Sequence, residues 1–140
     1  MRILKFMMVV IIAVITTPIY ASELAVITNK NNPNQYSADM IKKIFLGKIL
    51  KGPDGEYIIP INVTKKERTL FNKKILNLTN NQLKSYWAKV YFTRGIIMPQ
   101  NINSFEIAKN LVAKNPNIIS YLPYEMVDDS VKVVLTVKIN

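Results

Sequence analysis

The chain's 140 residues hold nineteen Lys and Arg against nine Asp and Glu, with no histidine and no cysteine. That inventory excludes disulfides, thiol nucleophiles, a lipid-bearing cysteine within the chain, and the imidazole groups most often used for proton transfer. The formal charge of +10 favours anionic partners through long-range attraction, although sixteen Lys beside fifteen Asn also reads as the background composition of a solvated surface.

Met1 to Lys5 carries two positive charges and no acid, and Phe6 to Thr17 follows as twelve uncharged, mostly apolar residues. Pro18 breaks the run and Ala21 offers a small residue for cleavage, which is the order of a secretory signal. The run is well short of the roughly 20 apolar residues of a spanning helix. The expectation is a signal peptide over 1–21, cut near Ala21, and one domain over 22–140. That domain keeps 17 basic residues against nine acids, a charge of about +8. It would be released without a membrane anchor into an oxidising compartment, most simply a periplasm.

Glu23 to Thr28 reads as a buried strand, and Asn29 to Tyr36 as a polar turn. Ser37 stands as a helix N-cap with Asp39 in the first turn; Met40, Ile41, Ile44 and Phe45 keep helical spacing until Gly47 closes the helix. A turn at 51–55 leads into a strand over Tyr57 to Val63. Thr64 then reads as the N-cap of a helix running to about Leu76. Thr79 starts another, with Leu83, Trp87, Val90 and Tyr91 on one side and Gly95 and Pro99 at its end. Ser104 caps a further helix that stops before Pro116, and Ile118–Leu122 and Val131–Val137 are the last strands. Alternating strands and helices predict a layered α/β domain, a mixed or parallel sheet flanked by helices.

The catalytic inventory is thin. The acids lie singly except for Asp128-Asp129, which reads as a turn rather than a hard-cation site, and there is no phosphate-cradling glycine loop or nucleophile elbow. A non-enzyme without metal or cofactor is expected. Nucleic acid is not expected either, because export separates the protein from it and the Lys residues are scattered. Anion capture needs less: a helix start with a hydroxyl cap and a nearby Arg, whose planar fork suits an oxyanion. Two places qualify, Thr64, Lys65 and Arg68 after the second strand, and Thr93 and Arg94 before Gly95. Tyr86, Trp87, Tyr91 and Phe92, at helical spacing, are expected in the core.

These residues, taken in order, resemble a family. Glu23-Leu24-Ala25-Val26-Ile27, Ser37-Ala38-Asp39 with Ile44-Phe45-Leu46-Gly47-Lys48, and Pro53-Asp54-Gly55 with Ile59-Pro60-Ile61-Asn62 open the pattern. Arg68 and Phe71, Tyr86-Trp87 through Phe92-Thr93, Gly95 with Pro99, Asn115-Pro116 before Ile119-Ser120-Tyr121, and Val131 to Leu135 complete it. The pattern is similar to small exported proteins of the phosphate ABC transporter substrate-binding family, relatives of type 2 periplasmic binding proteins. The sequence departs from it in having Gly52 where an aromatic is common and Ser120 where Gly is usual. It has Thr64-Lys65-Lys66-Glu67-Arg68 in place of the Ser-Gly-Thr element that holds the anion in full-length relatives.

The resemblance implies a periplasmic-binding-protein-like single lobe that binds phosphate or a similar oxyanion and serves a membrane permease. Such proteins close two lobes over the ligand, and 119 residues supply roughly one. The site would then be completed by a partner or a second copy. The alternative is a periplasmic protein-interaction or envelope-binding module with no small-molecule ligand.

Overall fold

A computed structural model describes residues 12–14 and 23–139. The signal peptide expected over 1–21 therefore lies, apart from 12–14, outside the described residues, and none of the helices described is long and apolar enough to cross a membrane.

Strand β1 (Glu23–Asn29) is apolar on both sides of its pleat, and the sheet uses both. Leu24 and Val26 join one buried cluster while Ala25 and Ile27 join another on the opposite face, as side chains two apart share a face. The other strands are β2 (Ile59–Val63), β3 (Gln100–Ile102), β4 (Ile118–Pro123) and β5 (Val131–Lys138). Their order is β3-β2-β4-β1-β5. β2 pairs in parallel with β3 and β4, whereas β1 runs antiparallel to both β4 and β5. This is the mixed sheet the sequence predicts.

Helices α1 (Ala38–Phe45), α2 (Glu67–Phe71) and α3 (Asn80–Arg94) cover one face through Ile41, Phe45, Phe71, Leu83 and Trp87. Helix α4 (Phe105–Lys114) covers the other through Val112. Three caps stand where the sequence puts them. Ser37 Oγ accepts from Met40 N, Ser104 Oγ accepts from Ile107 N, and Thr79 and Gln82 form a reciprocal capping box. Gly47 and Gly95 follow α1 and α3 with φ of +68° and +67°. At Gly47 a Cβ would also meet the Trp87 ring at 3.1 Å, so that turn and the aromatic of α3 are fitted to each other.

The region after β2 differs from expectation. Thr64 is not an N-cap: its N–H and hydroxyl both donate to Ile102 O, at 2.8 and 3.3 Å. That ties the end of β2 to β3, and α2 begins only at Glu67. From Asn72 the helix widens into a π-type turn to Leu76, ended by Asn77 at φ 55°. β2 itself starts at Ile59, and Tyr57 makes only an isolated bridge to Lys51. Tyr91 and Phe92, expected in the core, are exposed, while Trp87 is buried and Tyr86 half-buried.

The ladder between β2 and β4 is short, with only Ile59 and Pro60 paired, to Ile118 and Ile119. Beyond it, side chains span the gap. The buried Ser120 hydroxyl donates to Ile61 O at 2.9 Å, and the Tyr121 hydroxyl lies 3.4 Å from Val63 N and 3.5 Å from Val63 O. The hydroxyl at 120 thus supplies a donor that a glycine could not.

Burial pushes the Tyr121 phenol up to about 12, against the opposing pull of its bond with Val63 and of the Arg68 charge. A raised phenol favours the protonated form in the fold. Its contribution is therefore complete below the unfolded value near 10 and is lost as pH rises through about 12. Between those limits the protein is expected to lose on the order of 2 kcal/mol that Tyr121→Phe does not lose. Urea midpoints for both proteins across that window check it.

Lys109, on α4 and nearly buried, donates Nζ to Asp128 Oδ2 at 2.8 Å and to Met126 O at 3.3 Å. Hydrogen bonds from Lys109, then from Ser130, hold Asp128 well below the usual carboxylate range. That stabilisation is present above the unfolded value near 3.8 and is lost as pH falls through the lower folded one. Asp128→Asn should therefore lower stability at neutral pH and flatten its decline in acid, read from denaturation midpoints over a pH series. Asp128 thereby serves the turn before β5, with Ser130 N also donating to it at 2.9 Å.

Candidate anion-binding cavity

The chain leaves β2 through α2 and α3 on one face of the sheet and leaves β3 through α4 on the other. Where connections part to opposite faces at the carboxyl ends of parallel strands, an open α/β sheet has its usual ligand crevice. On the α2–α3 side lies a cavity of about 290 Å³, lined by Arg68, Asn72, Asn80, Leu83, Lys84, Trp87, Met98 and Asn101.

Each wall has a local cause. Arg68 is the second residue of α2; its backbone N–H donates to Lys65 O at 3.0 Å, so the turn Thr64–Lys66 fixes where α2 starts and where Arg68 sits. Asn72 is buried at the start of the π-type turn and donates Nδ2 to Asn80 Oδ1 at 3.0 Å; Asn80 donates in turn to Thr69 Oγ1 at 3.0 Å. This amide chain pins α2 to the first turn of α3. Asn80, Leu83, Lys84 and Trp87 recur at helical spacing and present one face of α3 to the cavity. Met98 comes from the loop after α3 and Asn101 from β3.

The electrostatics are one-sided. Two cations and three amides line the cavity, and no carboxylate does. Among the described residues Arg68 forms no ion pair. From Arg68 to Phe105 the sequence contains six Lys and Arg and no Asp or Glu. An anion entering here would meet uncompensated positive charge and N–H donors.

Of the residues singled out from sequence, Arg68 lines the cavity. Thr64 and Lys65 do not; they shape the turn that carries it. Thr93 and Arg94 lie elsewhere, at the end of α3. The Thr93 hydroxyl donates to Lys89 O at 2.7 Å, and Arg94 occupies the last helical position. That end carries free carbonyls, which suit a cation and repel an anion. Asn72, Asn80, Lys84, Trp87 and Asn101 as cavity residues were not foreseen.

No protein-family model and no curated protein matches the chain. Solved structures do. A putative phosphate ABC transporter substrate-binding protein from Clostridium perfringens, solved with bound phosphate, matches with a TM-score of 0.64 at 28% identity, over 81% of this chain and 44% of that one. The chain has the fold of phosphate ABC transporter receptors. An ABC-type phosphate transport receptor from Vibrio cholerae matches with a TM-score of 0.62 at 20% identity, over 81% of this chain and 45% of that one. PstS from Borrelia burgdorferi matches with a TM-score of 0.61 at 15% identity, covering 81% and 46%. The chain spans less than half the length of these relatives in fold. The mixed five-stranded sheet with helices on both faces, expected from the sequence, is the shared part.

Proposed function

We propose that this protein is a solute-binding-like protein that recognises phosphate or a related oxyanion at Arg68. The observation that carries the reading is the carboxylate-free cavity holding Arg68 and Lys84, set in a fold shared with a receptor solved with bound phosphate. Arg68 supplies a planar donor fork and Lys84 a second charge, while Asn80 and Asn101 offer amide donors. Thr64 and Lys65 act through the turn that presents Arg68. The role is read as binding rather than catalysis because the solved structures that share the fold are a transport receptor and a substrate-binding protein. The same reading takes residues 1–21 as a cleaved signal, 22–140 as the released periplasmic domain, and a membrane permease as the downstream partner. Calorimetric titration with phosphate and sulfate at low salt tests it; no heat at millimolar ligand would sink it.

One observation favours a second reading. Tyr91, Phe92, Ile97 and Met98 are 58%, 85%, 76% and 43% exposed around the end of α3, an apolar surface of the kind that partner proteins cover. On that reading the protein is an interaction module of the envelope without a small ligand. Oxyanions would give no heat, and Phe92→Ser with Ile97→Ser would abolish complex formation with the partner.

A further inference from the structure

The same cavity carries a statement about which oxyanion it takes, and this rests on the oxyanion reading above. We infer that it selects an organic oxyanion, a phosphonate or phosphomonoester bearing a small apolar or aromatic group, over inorganic phosphate.

Size comes first. The cavity measures about 290 Å³, at the lower end of the roughly 300–1,000 Å³ of pockets that take small organic ligands. Inorganic phosphate has five heavy atoms and would leave most of that space to water.

The walls come second. Arg68, Lys84 and Asn101 are polar, but Leu83, Trp87 and Met98 are not, and a bare tetrahedral anion has nothing to offer them. On α3 the two kinds of wall are neighbouring stripes: Asn80 and Lys84 stand four apart, and so do Leu83 and Trp87. A ligand with a charged head and an apolar body satisfies both at once. Its head pairs with the cations. Its body removes water chiefly from Met98, 43% exposed, and touches the small accessible edge of the buried Trp87; the gain is in proportion to the apolar area covered.

The exit comes third. Lys84, Trp87 and Met98 also line an adjoining, mostly apolar groove of about 320 Å³ that continues past Tyr91 and Ile97. A substituent reaching beyond the first cavity therefore meets more apolar wall.

Trp87 is the chain's only tryptophan, so its fluorescence reports occupancy directly. The purified protein is titrated with inorganic phosphate, methylphosphonate and phenylphosphonate, with neutral phenol as the uncharged control, by fluorescence and calorimetry. Phenylphosphonate is expected to bind at least tenfold more tightly than phosphate, with methylphosphonate between them, and to change the Trp87 emission. Phenol is expected to bind at least tenfold more weakly than phenylphosphonate. Met98→Ser, at a half-exposed position, is expected to narrow the phenylphosphonate-to-phosphate ratio at least threefold.

Equal affinity for phosphate and phenylphosphonate would overturn this inference and leave the oxyanion reading standing. So would an unchanged ratio in Met98→Ser. Phenol binding as tightly as phenylphosphonate would also overturn it, by showing an apolar site with no use for the charge. Absence of binding by every oxyanion would remove both readings together.

Discussion

Phe71→Ala is expected to cost about 3–5 kcal/mol of folding stability, the range for truncating a buried phenylalanine. Phe71 is fully buried, stacks on Tyr121 with ring centroids 4.0 Å apart and planes 9° apart, and meets the edge of Phe45 at 4.8 Å. It sits against the Tyr121 side chain, which bridges to Val63 beyond the short ladder of β2 and β4. Removing the ring leaves a void there that Tyr121 cannot fill without giving up its contact with Val63. Phe71 also closes α2, three residues after Arg68, so the same void loosens the element that presents the arginine. Urea denaturation measures the loss, and Phe71→Leu should retain more than half of the stability that Phe71→Ala gives up. A cost under about 1 kcal/mol for Phe71→Ala would show that this aromatic stack does not hold the seam.

Arg68→Ala should reduce oxyanion affinity about 100-fold, near 2.7 kcal/mol, the scale of a charge-assisted, two-pronged contact. Its effect on stability should stay within about 0.5 kcal/mol, because Arg68 is only half-buried and has no carboxylate to leave stranded. Arg68→Lys keeps the charge and loses the fork, so it should fall between the two. Lys84 is exposed, and Lys84→Ala should weaken binding by less than Arg68→Ala. Calorimetry and denaturation on the same preparations separate loss of site from loss of fold.

What the sequence disclosed and what it hid follow from where each structural cause lies. The caps at Ser37, Thr79 and Ser104 were legible because a cap is made within four residues. β1 was legible because an apolar run flanked by turn residues has few other uses. The error at Thr64 has the opposite origin. Its hydroxyl and N–H could serve a helix start or a neighbouring strand, and the partner that decided it, Ile102, lies 38 residues on. β3 was invisible for the same reason. Gln100–Ile102 has no alternation of its own and is a strand because β2 lies beside it.

Tyr91 and Phe92 follow helical spacing yet face outward, since α3 is longer than the surface it covers and its buried side ends at Val90. The cavity was half legible. Arg68 stood out as one of two arginines after the N-terminal segment. Asn72, Asn80, Lys84, Trp87 and Asn101 come from the π-type turn, α3 and β3, and only the fold brings them together. The sequence does mark the region: the stretch from Arg68 to Phe105, with six cations and no acid, contains every one of these residues.

The measurement that bears most directly on the central claim is a phosphate titration of the isotopically labelled protein, followed by ¹H–¹⁵N correlation spectra. The account predicts saturable shifts concentrated at Arg68, the side-chain amides of Asn80 and Asn101, and the Trp87 indole, with the end of α3 at Thr93 and Arg94 unmoved. Shifts centred on Thr93 and Arg94, or small linear shifts spread over the lysines, would contradict it.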